Sequence, residues 1–111
     1  MIRTCQVFSA DSMPNPRGLK IVKLYEASEA AILHIFLQPG QAVPPHTTPV
    51  NVSFYVLQGT LDIEIGDERM AVQADTLVES PASIPHAIYN QSDQLAGILV
   101  IKHPNPSSLN R

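Results

Sequence analysis

Residues 50–73 read VNVSFYVLQGTLDIEIGDERMAVQ, and this stretch decides the fold. VNVSFYVLQ is β-branched and aromatic and stops at Gly59, as a strand does. In TLDIEI, Leu61, Ile63 and Ile65 alternate with Thr60, Asp62 and Glu64, so one face packs on a core while the other meets water. Gly66-Asp67-Glu68 then turns the chain into RMAVQ, the signal of a hairpin. Three strands therefore follow one another with only tight turns between them.

The same punctuation extends in both directions. Upstream, LKIVKLY (19–25) and AAILHIFL (30–37) are separated by EASE, and the second run ends at Pro39-Gly40. Its shortness and its branched residues favour a strand over a helix despite the alanines. Pro14-Asn15-Pro16-Arg17-Gly18 forbids a helix near the start, because proline disfavours helical geometry in the residue before it. Downstream, TLVES, HAIYN and AGILVIK supply three more strands, and HPNPSSLNR reads as polar loop. Eight or nine short strands with frequent turns imply an all-β sandwich or barrel. The expected organisation is an N-terminal strand and proline-rich loop over 1–18 packing on a barrel formed by 19–103, followed by a polar tail over 104–111. Ile98-Leu99-Val100-Ile101 is apolar on both faces, so either the N-terminal strands or a second subunit must cover the outside of that sheet.

Composition narrows the class of function. A chain of 111 residues that is 44% apolar can bury a core as one domain. A net charge of −3 with no basic cluster argues against nucleic acid, which demands concentrated Lys and Arg. No apolar run approaches the ~20 residues of a membrane span, and MIRTCQVF carries no apolar leader. Cys5 is the sole cysteine, which fits a reducing compartment, so a cytoplasmic protein is expected. No glycine-rich phosphate loop or serine elbow is present.

The order of Gly40, His46, Thr48, Val52 and Gly59 resembles the first signature of the cupin superfamily, in which two histidines and a glutamate lie between two glycines. Asp75, Pro81, Ser83, His86 and Asn90 are spaced like the second signature, with a proline five residues before a histidine and an asparagine four after it. The resemblance covers roughly 30–102. It implies a small single-domain jelly roll, commonly a homodimer, with a pocket at one end of the barrel. It also implies four metal-ligand positions, of which His46 and His86 are retained while Thr48 and Val52 replace a histidine and the glutamate. Asp75 and Ser83 stand where the family has glycine.

Two imidazoles would hold a divalent ion (zinc, iron, manganese or nickel) only weakly, since a catalytic site normally takes three protein ligands. His34, Glu79 and His103 are the candidates for a third donor. Their ordinary readings are a core histidine, a solvent-facing or loop-capping carboxylate and a surface histidine. On the family placement, strand alternation puts Thr48, Val52, Phe54 and Val56 on the lining of the barrel, with Ser53, Tyr55 and Leu57 outward. The expected pocket is His46, Thr48, Val52, Phe54 and His86: mostly apolar, with two imidazoles able to orient a carboxylate or enol or to move a proton. Three functions compete. One is a metal-poor domain binding a small apolar or carbohydrate-like molecule. Another is a metal-dependent dioxygenase or isomerase with a third ligand elsewhere. The last is a structural or regulatory dimer with a vestigial pocket.

Overall fold

The structure is a computed structural model and describes residues 1–109. Among these residues nine strands run in order: β1 (Lys20–Glu26), β2 (Ala31–Leu37), β3 (Ala42–His46), β4 (Asn51–Gln58), β5 (Thr60–Ile65), β6 (Glu68–Gln73), β7 (Thr76–Ser80), β8 (His86–Tyr89) and β9 (Ala96–His103). They form two antiparallel sheets, one ordered β1-β2-β9-β4-β7 and the other β3-β8-β5-β6. Residues 50–73 form β4, β5 and β6, and β5 and β6 make the expected hairpin, with Ile65 opposite Glu68 across Gly66-Asp67.

The core lies between the sheets. Alternation on β4 sends Val52, Phe54 and Val56 inward, where each is at most 1% exposed. Leu61 and Ile63 of β5, Val72 of β6, Ile88 of β8, and Ile98 and Val100 of β9 meet them. At about 25 cal/mol per Å² of apolar surface, these side chains supply the main drive for closure. At Gly59 the chain turns with φ +75°, and a Cβ there would lie 2.8 Å from the Leu95 carbonyl oxygen, so only glycine fits. Asn90 is fully buried. Its amide donates to the carbonyls of Leu37 and Gln94, both at 2.8 Å, and its side-chain oxygen accepts from the Ser92 backbone. It thereby ties the β8–β9 loop to the end of β2.

Residues 1–18 differ from expectation. In place of a strand they carry a 3-10 turn, Val7–Ser9. Met13 N–H donates to the Ile21 carbonyl along the edge of β1, and Phe8 packs on Phe36 with ring centroids 5.9 Å apart. The prolines at 14 and 16 explain this: the segment cannot offer a continuous ladder of N–H donors to β1. Pro106–Leu109 form a second 3-10 turn within the tail, whose last two residues, 110–111, lie outside the described residues.

Candidate functional site

The site is built where β3 meets β8. Pro44 and Pro45 lie in β3, an edge strand of the smaller sheet, where missing N–H donors cost least. The register slips between Val43 and His46, and such bulges re-aim side chains. Beyond the slip, His46 lies directly opposite His86. Their Nε2 atoms are 3.2 Å apart, and the rings meet edge-on with centroids 4.5 Å apart. His46 is exposed at the mouth, whereas His86 is 3% exposed.

The partners assign the tautomers. Nδ1 of His46 faces the Pro44 carbonyl at 3.1 Å, an acceptor only, so that nitrogen carries the proton and Nε2 is bare. His86 must then donate from its own Nε2 to His46 Nε2. Its Nδ1 accepts from the Ser80 hydroxyl at 2.9 Å. A relay thus runs Ser80 to His86 to His46 to Pro44. It requires a neutral His86, and burial, helped by His46 and Lys102, pulls the His86 pKa down to about 4. Thr48 Oγ1 lies 3.4 Å from the same Nε2, which already carries a proton, so the Thr48 hydroxyl is free to donate elsewhere.

These groups open on a cavity of about 110 Å³. All five expected pocket residues, His46, Thr48, Val52, Phe54 and His86, line it, together with Leu33, Ile35, Val43, Ile88, Val100 and Lys102. One detail is corrected. Thr48 reaches the cavity from the β3–β4 loop and not from strand alternation, held there by the Ser83 N–H on its carbonyl at 2.8 Å. Phe54 forms the floor, edge-on to His86 at 5.2 Å.

Lys102 and Ser80 escaped the sequence reading. Alternation along β9 does place Lys102 with Ile98 and Val100. That this face lines a pocket follows only from the pairing of Lys102 with Val52. A larger depression of about 510 Å³ lies beside β6 and β7, lined by residues including Ile63, Met70 and Val78. It is an open surface groove lacking both imidazoles. The smaller cavity, which holds both imidazoles, is therefore the candidate site.

The three candidate third donors lie elsewhere. His34 alternates with Leu33 and Ile35, which line the cavity, so it faces outward; it stacks on Phe36 at 4.2 Å, and burial lowers its pKa. His103 sits outside and bonds Ser53 Oγ at 3.0 Å. Glu79 is exposed on β7. The separation of the two Nε2 atoms would suit two nitrogens each about 2.0–2.1 Å from one ion. Beyond that pair the cavity offers a neutral hydroxyl, a valine and an ammonium. Among the described residues no three His, Cys, Asp or Glu side chains gather to hold an ion. This donor set does not fit a resident catalytic metal.

Comparison with known proteins agrees with this architecture. The family model described as Cupin domain matches residues 33–102. Uncharacterized protein MJ0764 of Methanocaldococcus jannaschii is 25% identical over 91 residues, covering 81% of this chain and 78% of that protein. The crystal structure of that protein, described as an RmlC-like cupin with a double-stranded β-helix fold, superposes with a TM-score of 0.79 at 21% identity, over 100% of this chain and 99% of the other. An RmlC-like cupin from Shewanella frigidimarina gives 0.83 at 14% identity, over 95% and 93%. The polyketide cyclase RemF from Streptomyces resistomycificus gives 0.79 at 19%, over 95% and 81%. At these identities the structural likeness concerns the fold.

Proposed function

Because the chain belongs to the Cupin domain family, we propose that it binds a small molecule in the cavity framed by His46 and His86, without a resident metal. The observation carrying this reading is the pair of Nε2 atoms 3.2 Å apart at the mouth of an apolar cavity lined, among the described residues, by no carboxylate. A few convergent polar groups on an apolar lining are the usual make-up of a small-molecule site. Binding is favoured over proton abstraction because the relay consumes both ring lone pairs, leaving no free base facing the cavity. The metal-dependent dioxygenase or isomerase has no support from His34, Glu79 or His103, all of which lie away from the cavity.

The test pairs elemental analysis of the purified protein with a thermal-shift screen of small organic compounds. A true ligand at a hundredfold excess over its dissociation constant stabilises the fold by about 2.7 kcal/mol. His46→Ala, at the exposed mouth, is expected to abolish that shift while leaving the fold intact. Stoichiometric zinc, iron, manganese or nickel would overturn the metal-free reading. A shift unaltered by His46→Ala would move the site elsewhere.

A further inference from the structure

Lys102 is the group that the relay does not use. It points into the barrel from β9, half-buried, and burial lowers its pKa. Among the described residues the ion pairs are Lys23 with Glu26 and Arg69 with Asp62, so Lys102 has no carboxylate partner. Withdrawing an ammonium from water without a counter-charge is costly, and proteins normally pair such a group. Its cross-strand neighbours are Val52 and Ala31, neither of which offers a charge. Directly opposed side chains have Cβ atoms only about 4.5–5.5 Å apart, so the short valine leaves the missing anion's place open beside Lys102. The Thr48 hydroxyl, with its proton uncommitted, opens on the same cavity.

We propose that the cavity takes a small organic carboxylate, whose anionic group sets against Lys102 Nζ and the Thr48 hydroxyl while its carbon chain lies among Leu33, Ile35 and Val100. The inference rests on the small-molecule pocket proposed above and names its ligand class. Volume limits the chain. An apolar cavity of ~150 Å³ holds one benzene, six heavy atoms, so about 110 Å³ admits an acid of roughly five heavy atoms or fewer.

The experiment uses an isosteric pair, propionate and propionamide, at constant pH and ionic strength. Binding is read from the imidazole resonances of His46 and His86 and from calorimetry. Wild type is expected to bind propionate at least tenfold more tightly than propionamide, and Lys102→Met, which keeps the chain length, to bring the two together. Equal affinities in wild type, or a preference that survives in Lys102→Met, would overturn the carboxylate inference while leaving the pocket standing. If neither compound perturbs either imidazole, both the pocket reading and the inference fail. The comparison in wild type stands by itself should Lys102→Met not fold.

Discussion

His86 shows how one residue can be legible in position and illegible in state. The spacing of Pro81, His86 and Asn90 marks it as a pocket histidine. Its neutrality depends on Ser80, His46 and the depth of the site, none of which spacing can express. That state has a pH consequence. With a folded pKa of about 4 against an ordinary value near 6.5, the unfolded chain takes up a proton on His86 before the folded one does. Above pH ~6.5 both forms are neutral and the group contributes no pH dependence. As pH falls from ~6.5 to ~4 stability is lost, by about 3 kcal/mol at most, and the loss levels off below that. Denaturant titrations across this window are expected to give a flatter profile for His86→Gln than for wild type. Identical slopes would show that the ring is not held neutral. His34, also lowered by burial, acts in the same direction, which is why the comparison with the variant carries the result.

At the scale of elements, the two turns that depart from the family pattern adopt the backbone that glycine favours. Asp75 and Ser83 stand where the resemblance has glycine, and both adopt the left-handed backbone, with φ of 64° and 66°. Aspartate tolerates this region better than serine. Asp75 also receives a hydrogen bond from the Tyr55 hydroxyl, whereas Ser83 contributes mainly its backbone N–H to Thr48. Ser83→Gly is therefore expected to relieve roughly 1–2 kcal/mol of strain against about 0.5–1 kcal/mol of added chain entropy. The net gain would be up to about 1.5 kcal/mol, seen as a higher urea midpoint at unchanged slope. A lower midpoint would mean that the serine side chain has a role its geometry does not reveal. Here the sequence pattern was readable as turns, while the backbone sign at two non-glycine residues was not. Alternation also read β4 correctly from Val52 to Val56 but placed Thr48 by extension, and a loop intervenes.

Across the whole molecule, the outer face of the larger sheet is only partly covered. The N-terminal segment lies along β1, and its Phe8 packs on Phe36, while Val22 and Phe36 are buried at 1% and 7% exposure. Further along the same face Tyr55, Leu99 and Ile101 are half-buried, and Leu77 is 52% exposed. The double-sided apolar run in β9 extends across this surface, and exposed apolar surface on such a scale is the kind that a partner can cover. We expect a second copy to pack there. Light scattering should give twice the chain mass for wild type and a single chain mass for Ile101→Asp; a monomeric wild type would remove the dimer. Among the described residues no helix is long and apolar enough to cross a membrane.

Periodicity and turn residues determined the strands, because a half-buried strand must alternate whatever it later packs against. Resemblance to the two family signatures implied that His46 and His86 share a pocket. Strand order, the bulge that aims His46, the outward placement of His34 and the inward, unpartnered charge of Lys102 were decided only in three dimensions. Each of these depends on which residues face one another across sheets, and contacts between strands far apart in the chain leave no local periodic trace.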